Sequence, residues 1–287
     1  MIRKSFSAMA VLAGLSFATP AAAQGTCTRE QLQAIADSWK SALEQGTMMT
    51  MALGEWVDYN GNGRRGSLGA FLDQPREVVH HMALLDTTTC RTFNEVVAKT
   101  GDEWEVFATQ VNSGFFGTGP FVNVTTKVGD WLFDGERTAY YATRENWDVI
   151  PDGQRNTRAE ILAAANAYLD LFSNPDTVVP WGTPCARLEG GVYTGRGLPT
   201  DSCNVGVPSG IAMAERDYVV DVERGAVAVF LKMGANLRPD VHTFRIEDGN
   251  IRYVHTVTNC GGQDNCGFDP FREMLARNPG MQPDLPE

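Results

Sequence analysis

Two stretches of the chain share one helical pattern of apolar positions. In residues 28–46 and again in residues 157–174, apolar side chains recur at intervals of three and four, which places them on one stripe of an amphipathic helix. Both stretches begin with Thr-Arg, and the same order of landmarks in two places predicts an internal duplication. The matching apolar positions are Leu32, Ile35, Ala36, Trp39 and Leu43 in the first stretch, and Ile161, Ala164, Ala165, Tyr168 and Phe172 in the second.

Runs rich in β-branched and aromatic residues predict strands, which are concentrated towards the end of each half. By contrast, His80 and His81 fall in a stretch that we interpret as helical. Each half therefore has a helix first and strands afterwards, and this order is typical of an α+β fold. The predicted strands are Phe121–Val128, Trp131–Phe133 and Thr138–Tyr141 in the first half, and Asp217–Val222, Ala226–Met233, Val241–Ile246 and Ile251–Val257 in the second.

A Pro-Asp-Gly turn followed by polar residues, at residues 151–156, predicts the boundary between the two halves. We expect a first domain over residues 24–150 and a second domain over residues 151–275. The remaining residues, 276–287, contain three prolines and are predicted to form a tail on the surface.

The beginning of the chain has the features of a secretory signal peptide. Arg3 and Lys4 supply positive charge, residues 8–17 are largely apolar, and alanines at 21–23 fit a cleavage site. We therefore expect residues 1–23 to be removed and the protein to be periplasmic or secreted. No later apolar stretch reaches the roughly 18 to 20 residues that span a bilayer, so we expect no integral membrane span.

All six cysteines follow the predicted signal peptide, and an even number of cysteines in an exported protein indicates disulfides rather than catalytic thiols. Six cysteines allow about 15 complete pairings. We favour the set in which two bonds close short, Gly-rich loops and the third fastens the N-terminal segment. The predicted pairs are Cys27–Cys90, Cys185–Cys203 and Cys260–Cys266.

Composition and charge narrow the range of functions. The chain is 43% hydrophobic and 21% charged, which is typical of a globular protein with a sizeable core. Its net charge of -11 and its lack of a basic cluster argue against general nucleic-acid binding. Because no phosphate-binding Gly motif, nucleophile elbow or metalloprotease motif is present, we expect no cofactor and no metal. The expected partner is a small molecule, and the sequence leaves room for a homo-oligomer.

The segment Glu247-Asp-Gly-Asn250 separates two alternating runs and predicts a two-residue hairpin turn, because Asp-Gly readily adopts the positive φ values that such a turn requires. The turn sets the register of the two strands, and all the paired side chains should then share one face. The expected opposite pairs are Ile246 with Ile251, Phe244 with Tyr253, and His242 with His255.

Two histidines beside a tyrosine hydroxyl in an apolar pocket suit general acid–base chemistry. We expect His255 or Asp217 to remove a proton from the substrate. His242 or Tyr253 would donate a proton, and Arg216 would stabilise developing negative charge. The further residues expected to line the substrate site are Asp221, Phe244, Glu189, Tyr193 and Arg187.

Alternative interpretations of these residues remain open. The two histidines could simply fill a semi-polar core, or they could bind a metal together with Asp217, Asp221 or Asp240. The alternation of side chains along a strand places Asp217 and Asp221 on the same face. One of them could be a buried base, or both could be charges that face the solvent. Arg187 could bind a carboxylate or form a salt bridge with Glu189.

Four segments resemble a family of exported fungal and bacterial proteins of undefined function: residues 179–194 (VPWGTPCARLEGGVYT), residues 201–210 (DSCNVGVPSG), residues 216–221 and the hairpin at residues 242–255. The resemblance covers most of the chain after the signal peptide. The second half is similar to the nuclear-transport-factor-2-like superfamily, a cone-shaped α+β fold shared with SnoaL-like polyketide cyclases. The resemblance implies two tandem cone-like domains, each with N-terminal helices packed on a curved antiparallel sheet, the first being a diverged copy.

That superfamily includes dehydratases, isomerases, cyclases, cofactor-free carbon–carbon lyases and binding or assembly domains, so the fold does not select one function. The resemblance implies a pocket inside the cone. We expect an exported, cofactor-independent enzyme that performs lyase, dehydratase or isomerase chemistry on a small, partly apolar or aromatic molecule. The alternative is an exported module that binds a small molecule or assembles without catalysis.

Overall fold

A computed structural model describes residues 27–55, 57–114, 117–205, 207–269 and 273. These residues form four α-helices and two six-stranded sheets. The predicted signal peptide and the predicted tail lie outside the described residues. The helices are α1 Arg29–Gln45, α2 Leu68–Phe71, α3 Gly135–Ala142 and α4 Arg158–Leu171, and short 3-10 helices cover Met48–Thr50 and Asp264–Gly267.

The two long helices, α1 and α4, form where the apolar pattern predicts them, and each begins with a capping box. The Thr28 side chain accepts a hydrogen bond from the N–H of Gln31, whose side chain accepts one from the N–H of Thr28. Thr157 and Glu160 exchange the same two bonds at the start of α4. These caps give partners to backbone donors that the first turn of a helix leaves free. Gly46 ends α1 in the left-handed conformation, at a φ of 63°.

The first half forms one mixed sheet. Its strands are β1 Tyr59–Gly61, β2 Arg64–Gly66, β3 Glu77–Asp86, β4 Arg91–Thr100, β5 Glu103–Gly114 and β6 Gly117–Thr126. They lie in the order β2-β1-β6-β5-β4-β3. Neighbouring strands are antiparallel except β1 and β6, which run parallel, so the sheet is not the purely antiparallel one that we expected.

The second half repeats this arrangement strand for strand. Its strands are β7 Trp181–Glu189, β8 Val192–Tyr193, β9 Met213–Asp221, β10 Ala226–Met233, β11 Arg238–Glu247 and β12 Asn250–Thr258. They lie in the order β8-β7-β12-β11-β10-β9, and here the parallel pair is β7 and β12. Since α4 precedes this sheet as α1 precedes the first, the repeated topology supports the predicted duplication.

The elements stack in four layers, helix on sheet on sheet on helix, so the central strands of each sheet are largely buried on both faces. On the outer face of the first sheet, Trp39 of α1 packs against Phe121, with ring centroids 5.7 Å apart. On the outer face of the second sheet, Tyr168 of α4 fills the same place. The inner faces meet each other, and Phe93 of β4 contacts Phe230 of β10 with ring centroids 6.0 Å apart.

A buried carboxylate of the first half holds the long helix of the second half. Asp86, the last residue of β3, accepts two hydrogen bonds of 2.8 Å from the guanidinium of Arg158, the first residue of α4. The same carboxylate accepts a bond of 3.0 Å from the backbone N–H of Val220 in β9. Burial alone would raise the pKa of Asp86, but these bonds lower it below its ordinary value.

A buried carboxylate of the second half makes the corresponding contact with the long helix of the first half. Asp221, the last residue of β9, accepts bonds of 2.8 and 2.9 Å from Arg29, the first residue of α1, and one of 3.0 Å from the N–H of Leu85 in β3. Each half thus gives its first helical arginine to the other half's aspartate, as in the two-fold interface of a symmetric dimer. We call the pairs Asp86–Arg158 and Asp221–Arg29 the reciprocal clasp.

Several elements predicted for the first half are wrong. His80 and His81 lie in β3 rather than in a helix. Residues 138–141 lie in α3 rather than in a strand, because the Asp134 side chain accepts the N–H of Arg137 and caps a helix there. Residues 131–133 form a turn. Strands β3 to β5 escaped prediction because both faces of these strands are largely buried, which removes the alternation that marks a half-exposed strand. The four strands predicted for the second half overlap β9 to β12.

The three predicted disulfides are present. The bond between Cys27 and Cys90 fastens the start of α1 to the turn between β3 and β4, and the other two close loops of the second half. Three disulfides indicate an extracellular or otherwise oxidising compartment. Among the described residues, every helix is too short or too polar to cross a lipid bilayer.

Replacing Asp86 with Ala should lower the free energy of unfolding by about 3–5 kcal/mol, because it removes one partner of a buried ion pair. Asp221→Ala should cost at least as much, since Asp221 makes the corresponding contact with Arg29 and also lies 3.9 Å from Arg224. Denaturant unfolding of the purified variants measures both values. Asp58→Ala is the control: it breaks an exposed ion pair with Arg65 and should cost less than about 1 kcal/mol. Equal, small losses in all three variants would show that the clasp does not hold the halves together.

Candidate functional site

A small cavity lies on the outer face of the second sheet, beside the C-terminal end of α4. Polar side chains from β7, β11 and β12 line it: Arg187, Glu189, His242, Thr256 and Thr258. Apolar side chains complete the wall and the rim, among them Trp131, Phe172, Pro208, Ile211 and Phe268. The free volume is about 30 Å³, which is room for one or two water molecules.

His242 and Asp240 form a buried pair at this cavity. Nδ1 of His242 lies 2.7 Å from Oδ2 of Asp240, and the two residues share a face because they are two positions apart on β11. Oδ1 of Asp240 accepts a hydrogen bond of 2.5 Å from the hydroxyl of Thr258, which orients the carboxylate. No described residue forms a hydrogen bond with Nε2 of His242. That nitrogen is therefore available to a molecule in the cavity.

The surroundings of His242 favour its charged form. Burial lowers the pKa of His242, but the charge and hydrogen bond of Asp240 raise it, and the net pKa lies above the ordinary value. Glu189 raises the pKa further, whereas Arg187 opposes the shift. An imidazolium held at Nδ1 by a carboxylate is suited to donate a proton from Nε2.

Arg187 brings a buried positive charge to the same cavity. Its Nε lies 3.4 Å from Oε1 of Glu189. The two residues therefore form the salt bridge that was one of the two alternatives for Arg187. Oε2 of Glu189 accepts a hydrogen bond of 2.8 Å from the hydroxyl of Thr256. Within the described part of the chain, Nη1 of Arg187 has no well-aligned hydrogen bond, Nε has only the ion pair with Glu189, and the hydroxyl of Tyr168 has no closer donor or acceptor than this guanidinium. Because buried donors without partners are costly, the cavity favours an occupant that offers oxygen acceptors.

His255 lies on the opposite face of the second sheet, where the two sheets meet. Its Nδ1 is 2.8 Å from Oε1 of Glu95 in β4, and its Nε2 is 2.6 Å from Oε2 of Glu145, which follows α3. The three side chains are at most 3% exposed. The indole N–H of Trp147 donates a bond of 2.9 Å to the same oxygen of Glu145. We call these residues the Glu95–His255–Glu145 triad.

The triad holds His255 as a cation. Burial lowers the pKa of His255, but the two carboxylates raise it to about 10. Burial raises the pKa of Glu95, yet the charge and hydrogen bond of His255 bring it below its ordinary value. An imidazolium bonded at both nitrogens has no lone pair with which to accept a proton. In this arrangement His255 joins the two halves of the protein, and the role of base that we expected for it has no geometric support.

The predicted pairing of His242 with His255 is wrong. The hairpin turn forms as expected, and Ile246 lies opposite Ile251. One extra residue, Arg252, then bulges from β12 and shifts the register by one position. A shift of one residue sends the two histidines to opposite faces, so they cannot act on one substrate or bind one metal. The observed opposite pairs are His242 with Thr256, Thr243 with His255, Phe244 with Val254, and Arg245 with Tyr253.

Asp217 and Asp221 share a face as predicted, but that face meets the first half. Asp217 accepts a hydrogen bond of 2.7 Å from Arg91, and Asp221 belongs to the reciprocal clasp. Arg216 lies on the other face and donates to Asn166 of α4 at 2.7 Å. All three residues join elements of the fold and lie outside the lining of the cavity.

The remaining predicted site residues divide between the two faces of the second sheet. Phe244 lies beside the cavity, and its ring centroid is 6.0 Å from that of His242. Tyr193 and Tyr253 line an open groove on the opposite face. The predicted residues that the structure brings together at the cavity are His242, Phe244, Arg187 and Glu189.

Some residues of these sites were not predicted as acid–base groups. From the sequence, Asp240 was considered only as a potential metal ligand. Its position two residues before His242 on a strand places both side chains on one face, and this spacing could have predicted their contact. Nothing in the sequence pairs Glu95 or Glu145 with His255, because the contacts cross from one half to the other. Among the described residues, no group of three or more His, Cys, Asp and Glu side chains is placed to hold a metal ion.

Comparison with known proteins adds one finding. Residues 154–258 match a domain of unknown function, DUF8021. The matched segment begins before α4 and ends with β12, so it contains the helix and the sheet that enclose the cavity. No curated protein and no solved structure matches the chain. The candidate chemistry therefore rests on the geometry of the site.

The triad should make stability depend on pH. His255 has a folded pKa of about 10 against an ordinary 6.5, so its stabilising contribution is full below about pH 6.5 and is lost as the pH rises towards 10. We expect the unfolding temperature to fall across this range. In Glu145→Gln the fall should be shallower, because His255 loses one of its two carboxylates. Circular dichroism melts from about pH 6 to pH 10 measure the slopes.

Glu136→Gln serves as the control for this measurement, because Glu136 is an exposed residue of α3 outside the triad. It should keep the slope of the unmodified protein. Identical slopes for Glu145→Gln and the unmodified protein would contradict the assignment of His255 as a buried cation.

Proposed function

We propose that the protein is an exported enzyme that performs acid–base chemistry, without a cofactor, on a small and partly apolar molecule bound inside the second half. The observation that carries the proposal is the buried His242–Asp240 pair, which shares one cavity with Arg187. A proton donor held by a carboxylate, next to a buried cation, suits reactions in which negative charge develops on a carbonyl oxygen. Elimination, isomerisation and some carbon–carbon cleavage reactions belong to this class.

The three ionisable residues that line the cavity each have a role in this proposal. Glu189 removes a proton from the carbon next to a carbonyl, and Arg187 donates hydrogen bonds to the carbonyl oxygen as it becomes negative. His242 donates the proton on Nε2 to the departing hydroxyl, which leaves as water when the carbon–carbon double bond forms. One proton is gained by Glu189 and one is lost by His242, so a transfer between them restores the starting state.

Admission of a substrate requires the cavity to widen. Its free volume is about 30 Å³, whereas small-molecule sites usually enclose about 300–1,000 Å³. The rim residues Pro208, Ile211 and Phe268 lie on loops after β8 and β12, so they can separate without breaking the sheet. In this proposal the loops part to admit the substrate and exclude water when they close.

The proposal includes a relationship of each half to the nuclear-transport-factor-2-like cone, with domains over residues 24–150 and 151–275. The repeated strand order, a helix on one face of each sheet and the cavity beneath α4 support it. Beneath α1, the corresponding space is filled by packed aromatic rings. These rings belong to Trp39, Phe71, Phe107 and Phe121. The second half is therefore the half proposed to be active.

The second candidate is a module that binds a small molecule without converting it. Nη1 of Arg187, which has no well-aligned hydrogen bond among the described residues, favours this function, since it could bind a carboxylate with no proton transfer. In that case His242 and Asp240 would affect affinity alone.

A His242→Gln variant tests the enzymatic proposal. Turnover of a β-hydroxy carbonyl or unsaturated carbonyl compound, found by screening the unmodified protein, should have a kcat lowered by about 10²–10⁴-fold, because the variant lacks the proton donor. His81→Gln is the matched control: His81 lies in the first half, 3.0 Å from the Asn94 side chain, and its loss should leave kcat unchanged.

Calorimetric binding of the same compounds separates the two candidate functions. If the unmodified protein converts a compound to product and the His242→Gln variant does not, the result supports the enzymatic function. Saturable binding with no product, and a change of affinity alone in His242→Gln, would favour the binding module and reject the enzyme.

A further inference from the structure

A groove on the opposite face of the second sheet from the cavity has the size of a ligand site. It lies between α3 and the strands β7, β8 and β12 and encloses about 980 Å³. That volume is at the upper end of the range of about 300–1,000 Å³ that small-molecule sites occupy. Four tyrosines line the groove: Tyr140 and Tyr141 of α3, Tyr193 of β8 and Tyr253 of β12.

The tyrosines form a platform whose shape is already set. The rings of Tyr141 and Tyr193 stack with centroids 4.4 Å apart and an angle of 9° between their planes. The ring of Tyr140 meets that of Tyr141 edge to face at 5.1 Å. Because these rings support one another across α3 and β8, a flat ligand can stack on them at little cost in side-chain entropy.

Three guanidinium groups surround this platform. That of Arg144 lies 3.5 Å from the ring centroid of Tyr140, and that of Arg252 lies 4.3 Å from that of Tyr253. Arg196 is the third arginine of the lining. None of the three forms an ion pair with a described carboxylate, although the chain as a whole carries a net charge of -11. Against these three cations the lining has two carboxylates, those of Glu145 and Asp201, so the groove has a net positive charge, and two of its arginines stack on its aromatic rings.

One buried acceptor also belongs to the groove. Glu145 lines it, and the side chain of Glu145 is 2% exposed. Its Oε2 is taken by His255 and Trp147, whereas its Oε1 is buried without a well-aligned hydrogen bond among the described residues, and the nearby hydroxyl of Tyr193 is a second donor on the same side of the groove. A carboxylate oxygen in this position is suited to accept a hydroxyl hydrogen of a bound molecule.

We propose that the groove binds a short acidic oligosaccharide built of uronic acid units. The apolar faces of the sugar rings stack on the tyrosines, the sugar carboxylates pair with the arginines, and a ring hydroxyl donates to Oε1 of Glu145. Guanidinium groups bind carboxylates through paired N–H donors, which distinguishes an acidic from a neutral sugar. A single aromatic acid would fill only part of the groove and would engage fewer of the three cations.

This site is independent of the proposed reaction. Ala186 lines the groove, whereas the next residue along β7, Arg187, lines the cavity, so the sheet separates the two sites. The groove could therefore bind a glycan even if the cavity has no catalytic activity. Likewise, the cavity could be catalytic even if the groove binds no glycan.

Isothermal titration calorimetry on the purified protein tests the proposal with trigalacturonate as the acidic ligand and maltotriose as the neutral one. We expect saturable binding of trigalacturonate that weakens as salt is added, and at least tenfold weaker binding of maltotriose. Arg144→Ala and Arg252→Ala should each weaken trigalacturonate binding by about tenfold or more. Tyr193→Phe should retain the affinity, whereas Tyr193→Ala should lose it with the stacked ring.

Arg64→Ala is the matched control. Arg64 is an exposed residue of β2 outside the groove, so its replacement removes the same charge and should leave the affinity unchanged. Unfolding temperatures show that each variant is folded. The proposal is overturned if trigalacturonate does not bind at millimolar concentration, if maltotriose binds equally well, or if Arg64→Ala weakens binding as much as the groove variants. Preferential binding of a hydroxycinnamic acid would also overturn it, in favour of an aromatic-acid site.

Discussion

The reciprocal clasp is the constraint on which the rest of the structure depends. Asp86 and Asp221 are buried carboxylates, and each takes its guanidinium partner from the helix of the other half. A buried carboxylate without a cation is strongly disfavoured, and the guanidinium groups that bond these two carboxylates at 2.8–2.9 Å both come from the other half; within its own half, Asp221 has only the more distant Arg224, at 3.9 Å. The clasp therefore joins β3 to β9 and brings the inner faces of the two sheets together, in the manner of a symmetric dimer contained in one chain.

Face-to-face packing of the sheets decides where chemistry can occur. The inner faces are filled by apolar side chains and by the Glu95–His255–Glu145 triad, in which one imidazolium is shared by two carboxylates. On the outer faces, aromatic rings fill the space beneath α1, while a cavity with polar walls remains beneath α4. The open groove lies where α3 meets the strands β7 and β8. Two histidines from one hairpin thus have unlike roles, one as a buried cation between the halves and the other as a candidate proton donor.

The parts of the fold that were predicted correctly depend on local signals. Thr28 and Thr157 begin capping boxes, and the apolar stripe that follows each one defines a helix within a few residues. The hairpin turn follows from Asp-Gly alone. The strands β3 to β5 were missed because their side chains are largely buried on both faces, so the sequence lacks a regular alternation. In α3, the cap at Asp134 outweighs the preference of neighbouring tyrosines for a strand.

By itself, the sequence determined the two long helices, the disulfide pairs, the hairpin turn and the presence of His242, Arg187 and Glu189 among the candidate residues. Only the tertiary structure decided that His242 and His255 lie on opposite faces, since a single bulged residue at Arg252 reverses every side chain beyond it. Tertiary structure also decided which charges meet. The arginines that bond Asp86 and Asp221 and the two carboxylates that bond His255 come from the other half of the chain, and spacing within a segment cannot reveal contacts that form only when two separate sheets pack together.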